Sequence, residues 1–170
     1  MRYLVIGGNR SGKSAYAEKI AADSGLSVTY LATAVCADEE MATRIELHRR
    51  RRPAHWSICE ETRHLARTLQ QQSREDGCIL LDCITLWLAN FITAAGVAAD
   101  YHEEKRLLLN IMPTLPGMLI IVTNELGMGM VPVDHLSRWY RDEVGELNQQ
   151  LAQNCHHVVW ITAGLPIQLK

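Results

Sequence analysis

Five short apolar runs recur along the chain: Tyr3–Ile6, Val28–Ala32, Cys78–Leu81, Met118–Thr123 and Val158–Thr162. Within each run the hydrophobicity is nearly continuous. A strand with one wet face alternates apolar and polar residues, whereas a strand covered on both faces does not. These runs therefore read as strands of a parallel sheet buried between two layers. Parallel strands need crossovers, and stretches with helical signals lie between the runs. Lys13–Ala22 opens directly from a glycine-rich turn. Asp38, followed by Glu39 and Glu40, is placed to cap a helix through Met41 and Ile45 to about His48. Asp100 with Glu103 makes a capping-box-like start to a helix through Leu107 and Met112, closed by Pro113 and Pro116-Gly117. Asp134 begins the longest helix, with an apolar stripe at Leu136, Tyr140, Val144, Leu147 and Leu151. Strands alternating with helices predict an α/β three-layer sandwich with a mostly parallel central sheet, in a single domain spanning residues 1–170. The pattern leaves the strand order open, and Val35–Ala37, Arg49–Glu61 and Phe91–Ala99 are the least defined stretches.

Composition narrows the setting. The 170 residues are 48% hydrophobic and 21% charged, which supports a buried core and excludes a disordered chain. A net charge of −2 gives no global basic field, and no aromatic stacking run is present, so nucleic acid is not an expected partner. The five cysteines, Cys36, Cys59, Cys78, Cys83 and Cys155, form no CxxC pair. That pattern fits reduced thiols of the cytoplasm better than a disulfide framework. Met1-Arg2 leads straight into the first strand, leaving no room for a signal peptide. No apolar run nears the roughly 20 residues of a membrane helix, so stable membrane insertion is not expected.

Gly7-Gly8-Asn9-Arg10-Ser11-Gly12-Lys13-Ser14 matches Gly-x-x-x-x-Gly-Lys-Ser, after a predicted strand and before a predicted helix. That context is what a Walker A phosphate loop requires, and a chance glycine-rich turn is the weaker reading. Glycines let the backbone curl so that successive N–H groups face phosphate oxygens, and the helix N-terminus adds positive potential. Lys13 is then the point charge on the β- and γ-phosphates, and Ser14 a ligand for Mg²⁺. Asp82 closes the apolar run Cys78-Ile79-Leu80-Leu81 and reads as the carboxylate partner of that metal, or as a loop or helix cap. Glu125 also follows a strand and competes for a metal or substrate role. No Asn-Lys-x-Asp guanine-reading motif is present, which excludes the switch GTPases.

Arg44-Ile45-Glu46-Leu47-His48-Arg49-Arg50-Arg51-Arg52-Pro53 is the second unusual stretch. By spacing alone, His48 shares a helical face with Met41 and Ile45, and a satisfied, partly buried histidine is the simpler reading. The arginines can favour a helix C-terminus or sit solvated. They can also fork onto phosphate oxygens, and a neutral imidazole beside them can attack an α-phosphate.

Taken in order, these residues resemble the bifunctional adenosylcobinamide kinase/adenosylcobinamide-phosphate guanylyltransferases of cobalamin biosynthesis, over essentially the whole chain. The likeness runs through the phosphate loop, Tyr30-Leu31-Ala32-Thr33, Arg44–His48, Arg52-Pro53-Ala54-His55-Trp56 and Leu80–Trp87. Its most specific block is Thr123-Asn124-Glu125-Leu126-Gly127-Met128-Gly129-Met130-Val131-Pro132. Arg141-Asp142, Gly145, Leu147-Asn148-Gln149 and Ala163-Gly164-Leu165-Pro166 follow it. The resemblance implies a RecA-like P-loop fold and a homo-oligomer, expected to be a trimer. It also implies two reactions: phosphorylation of adenosylcobinamide by ATP or GTP, then transfer of GMP from GTP onto adenosylcobinamide phosphate. His48 matches the histidine that carries GMP covalently. Nucleotide contacts carry over to Gly7, Gly8, Asn9, Arg10, Ser11, Gly12, Lys13 and Ser14, to Ala32, Thr33 and Ala34, to Arg49, Arg50, Arg51 and Arg52, and to Glu60 and Asp82. Asn9 stands where a small residue such as alanine is expected, Gly96–Pro116 is short, and the four-arginine run is denser than the family pattern. The Asn124–Pro132 loop, with Trp139 and Tyr140 nearby, is the candidate corrinoid surface, although the aromatics' spacing also suits core packing.

Overall fold

The computed structural model describes residues 1–35, 39, 46 and 53–170. All five predicted runs are strands: β1 (Arg2–Gly7), β2 (Ser27–Ala32), β4 (Gly77–Asp82), β7 (Met118–Asn124) and β8 (His157–Thr162). They join β3 (Ser57–Glu60) and β9 (Leu165–Gln168) in a seven-stranded sheet ordered β3-β2-β4-β7-β1-β8-β9. Every pairing is parallel except β8 with β9. A small hairpin of β5 (Ile92–Thr93) and β6 (Gly96–Val97) stands apart. The helices are α1 (Lys13–Asp23), α2 (Leu65–Gln72), α3 (Ile84–Ala89), α4 (Tyr101–Ile111) and α5 (His135–Asn154).

The unbroken hydrophobicity of the strands has its cause in two cores. One face of the sheet sends Leu4, Ile6, Leu31, Ile79, Leu81, Leu119 and Ile121 against Leu65, Leu69, Trp87, Leu108, Leu147 and Leu151 of α2 to α5. The other face sends Val5, Val28, Tyr30, Leu80, Ile120, Val122 and Ile161 against Ala17 and Ala21 of α1 and against Trp56. Each fully buried Leu or Ile contributes roughly 1.5–3 kcal/mol. The small Ala17 and Ala21, both fully buried, let α1 lie close on the strands that carry the phosphate loop.

Asp134 caps α5 as expected, its Oδ1 accepting from the Ser137 N–H at 2.8 Å. The capping box foreseen at Asp100 and Glu103 does not form. α4 begins at the expected place, but both oxygens of the Asp100 carboxylate accept from Arg63 Nη2, at 2.7 and 2.9 Å, and Glu103 pairs with Arg106. A charge-assisted pair that engages both carboxylate oxygens outcompetes a single cap bond. α2, α3, β3 and β9 carried no clear signal: α3 is six residues long, and β3 and β9 are edge strands with mostly exposed side chains. The helix expected from Asp38 to His48 lies outside the described residues apart from Glu39 and Glu46, which are helical. Arg2 ties the start of β1 to the end of α4. Its buried guanidinium donates to the carbonyls of Met112 (2.8 Å), Met1 (3.0 Å), Gly117 (3.1 Å) and Leu115.

Candidate nucleotide-binding site

The parallel strands end together along one edge, where open α/β sheets bind ligands. At that edge the chain leaves β1 through Gly7–Gly12 and enters α1 at Lys13. Gly7 has no room for a side chain, since a Cβ there would meet the Ile161 carbonyl oxygen at 2.5 Å and Ser11 Oγ at 2.6 Å. Gly12 has φ +98° and Arg10 φ +55°. Left-handed residues set between right-handed ones turn consecutive N–H groups inward as an anion nest. At Arg10, a non-glycine residue, that conformation costs on the order of 1 kcal/mol. The loop is braced from the C-terminus. The β8–β9 turn has positive φ at both Ala163 and Gly164, as a two-residue type I′ hairpin requires, and the Gly164 N–H donates to the Ser11 carbonyl at 2.8 Å.

Lys13 is buried, and its ammonium donates to the Gly8 carbonyl at 3.1 Å. Burial pulls its pKa below the ordinary lysine value, while the nearby Cys83 thiol and Asp82 carboxylate act in the opposite direction. Asp82 ends β4, and its Oδ2 accepts from the Tyr30 hydroxyl at 3.1 Å. The register sets the remaining spacing. Glu60, Ala32 and Asp82 are Cα partners across β3, β2 and β4, and Asp82 pairs with Val122 of β7. Gly7 pairs with Asn124, so one strand separates the phosphate loop from Asp82. At about 4.8 Å per strand, the row from Glu60 to the phosphate loop spans roughly 19 Å.

Most of the sequence-derived site residues thus share this edge. Gly7–Ser14, Ala32, Thr33, Ala34, Glu60 and Asp82 all lie there, with Asn9, Arg10, Gly12 and Glu60 exposed and Ser14 and Asp82 partly so. His48 and Arg49 to Arg52 lie outside the described residues. The Glu125 N–H donates to the Gly7 carbonyl at 3.0 Å, and its carboxylate accepts from the Gly127 N–H, so this residue closes its own turn. Trp139 and Tyr140 are core-packed: Trp139 meets the Tyr101 ring edge-on at 5.7 Å, and the Tyr140 hydroxyl donates to the Thr85 carbonyl at 2.8 Å.

Several supporting groups escaped the sequence. The Tyr30 hydroxyl on Asp82 is one. Behind the edge, Thr123 Oγ1 donates to Asn148 Oδ1 at 2.7 Å, and Asn148 Nδ2 donates to the Asn124 carbonyl at 3.0 Å. The Asn124 side chain donates to Thr85 Oγ1 at 2.9 Å. Nothing in the spacing of these residues marks them, because their partners come from distant segments.

The family model described as cobinamide kinase/cobinamide phosphate guanyltransferase, CobU, matches residues 3–169. The chain belongs to that family. CobU-family proteins similar to it include the bifunctional adenosylcobalamin biosynthesis protein CobP of Pseudomonas aeruginosa, 48% identical over 170 residues, 100% of this chain and 98% of the relative. The bifunctional adenosylcobalamin biosynthesis protein CobU of Salmonella typhimurium is 37% identical over 182 residues, 100% of both chains. The RadB recombinase matches 94% of this chain and 73% of its own with a TM-score of 0.52 at 18% identity, which shows the fold alone. That fold is the RecA-like P-loop architecture expected from the sequence. The family pairs a kinase with a guanylyltransferase, so the two chemistries anticipated along the chain belong to one enzyme of cobalamin biosynthesis.

Proposed function

We propose that one nucleotide site at the strand edge serves two phosphorus centres in turn. The observation that carries this reading is the buried Lys13 ammonium, folded onto Gly8 inside the loop and electrostatically coupled to Asp82. In the kinase step, the β- and γ-phosphates of ATP or GTP lie on the N–H groups of Gly7 to Gly12. Lys13 exchanges the Gly8 carbonyl for phosphate oxygens. The aminopropanol hydroxyl of adenosylcobinamide attacks the γ-phosphorus and releases its proton to solvent, the γ-phosphorus bond to the β-phosphate oxygen breaks, and the nucleoside diphosphate leaves.

Ser14 and Asp82 are hard oxygen donors suited to Mg²⁺. No cluster of three His, Cys, Asp or Glu residues fit to hold a metal occurs among the described residues. When bound, Mg²⁺ neutralises charge on the β- and γ-oxygens.

For the second step, His48 is the nucleophile on the α-phosphorus of GTP. Pyrophosphate leaves against guanidinium groups of Arg49 to Arg52. A phosphate oxygen of adenosylcobinamide phosphate then displaces the imidazole, giving adenosylcobinamide-GDP. Ala32, Ala34 and Glu60, with the main chain of Thr33, lie along the same nucleotide. The family match across this stretch supports the assignment. Exposed Met128, Met130, Val131 and Val133, just beyond β7, give an apolar surface suited to the corrin ring, and exposed Leu165, Ile167 and Leu169 on and beside β9 suit a homo-oligomer contact, a trimer by family resemblance.

Incubation with α-labelled GTP followed by denaturation tests the central claim. Wild type and Lys13→Ala should retain acid-labile, base-stable label, the mark of a phosphoramidate. His48→Ala should retain none, while its kinase turnover stays measurable and that of Lys13→Ala is lost. Guanylyl transfer at the wild-type rate by His48→Ala would remove the histidine from its role.

A further inference from the structure

Resemblance sets Thr33 among the nucleotide contacts, and its side chain is committed elsewhere. Thr33 is fully buried at the end of β2. Its hydroxyl donates to the Cys83 carbonyl at 2.7 Å and accepts from the Cys83 N–H at 3.1 Å. A hydroxyl has one hydrogen, and here it is spent on Cys83. Phosphate oxygens only accept, so this side chain has nothing to give them. Both backbone polar groups of the residue after Asp82 are instead gripped by a single side chain.

Thr33 is itself anchored. Its carbonyl accepts from Asn90 Nδ2 at 2.8 Å, and the same Asn90 nitrogen donates to the Thr62 carbonyl at 3.0 Å, tying the ends of β2 and β3 to α3. β2 reaches Asp82 from a second side, through the Tyr30 hydroxyl on Oδ2. Ala32, between these two grips, is the Cα partner of Asp82. The carboxylate is therefore held through its own oxygen and through the main chain that follows it.

We propose that Thr33 is a positioning residue for Asp82, holding the Cys83 main chain so that the carboxylate faces a triphosphate-bound metal, and that its side chain does not touch the nucleotide. The inference rests on the reading of Asp82 as the metal-holding carboxylate. Outer partners of metal ligands commonly change metal affinity when replaced without altering the ligand itself.

Thr33→Val keeps the volume and removes both hydrogen bonds. On the full-length protein, calorimetry would measure the affinity of guanylyl imidodiphosphate with Mg²⁺ and with EDTA. Affinity in EDTA should match wild type, the gain on adding Mg²⁺ should shrink roughly 10- to 100-fold, and Thr33→Ser should restore it. Equal weakening with and without Mg²⁺ would make Thr33 a direct contact and overturn the inference, as would an unchanged Mg²⁺ gain. Thr33→Ala carries the same expectation if the valine variant does not fold. Asp82→Asn separates the two levels: loss of the gain there with retention in Thr33→Val defeats the Thr33 inference alone, and a wild-type gain in Asp82→Asn defeats the reading beneath it.

Discussion

Lys105→Met should destabilise the protein by about 3 kcal/mol. Lys105 on α4 reaches Glu143 on α5 at 2.6 Å, with side-chain exposures of 11% and 9%. At an effective dielectric near 20, such a pair attracts by about 6 kcal/mol, most of it offset by the desolvation of both ions. Removing one partner leaves the other buried and unpaired, which typically costs about 3–5 kcal/mol. The low end applies because the Tyr101 hydroxyl still donates to the same Glu143 oxygen at 2.7 Å. The Lys105 contact with Glu146, at 3.3 Å with a 59% exposed partner, adds little. For 170 residues the unfolding entropy is about 0.36 kcal/mol/K, so the melting temperature should fall by about 8 °C. Urea unfolding and scanning calorimetry read both quantities. Lys105→Met with Glu143→Gln removes both charges, keeps an acceptor for Tyr101, and should recover to within about 1 kcal/mol of wild type. A single variant as stable as wild type, or a double variant no better than the single, would refute the reasoning.

Two further outcomes concern pH and capping. Burial raises the thiols of Cys78 and Cys83 to about 11 and of Cys155 to about 12. The native protein keeps these protons while the unfolded chain releases them near pH 8.5, so unfolding becomes easier as pH rises. Urea titrations from pH 7 to 10.5 should show stability falling above about pH 9, and Cys83→Ser should make that fall shallower; a flat alkaline limb would contradict it. Glu61 accepts from the N–H groups of Arg63 (2.7 Å) and His64 (2.9 Å) at the start of α2. Burial raises its pKa, but those hydrogen bonds outweigh burial and hold it below the ordinary value. Its contribution is therefore present above about pH 4.3 and lost as pH falls through the lowered value. Glu61→Ala should cost about 1 kcal/mol at pH 7 and flatten the acid limb, and an unchanged acid limb would show that the cap contributes nothing.

Elements whose signals are local were legible in the sequence. The five central strands could be read because burial on both faces leaves an unbroken apolar run. α5 announced itself through Asp134 and a long stripe, and the phosphate loop through glycines whose spacing is itself the geometry. Reading failed where the deciding partner is remote. Asp100 looked like a cap because its neighbours suit one, yet Arg63, 37 residues earlier, claims its carboxylate. β3 and β9 were invisible because an edge strand is defined by the neighbour it pairs with, and its exposed face carries no pattern of its own.

The same division runs through the site. By itself the sequence determined that a triphosphate loop is present, because main-chain N–H groups bind phosphate and the glycine pattern specifies their path. Its ordered blocks, matched along nearly the whole chain, determined the family. Strand order was left to the fold: β7 between β1 and β4 sets the distance from Gly7 to Asp82, and the Ala163–Gly164 turn comes back to brace Ser11. Thr33 shows the difference most directly. Family resemblance sets it among the nucleotide contacts, and in the fold its hydroxyl proton is spent 50 residues away on Cys83. Which partner a hydroxyl finds depends on which strands are neighbours, and that is settled by packing two hydrophobic cores across one sheet.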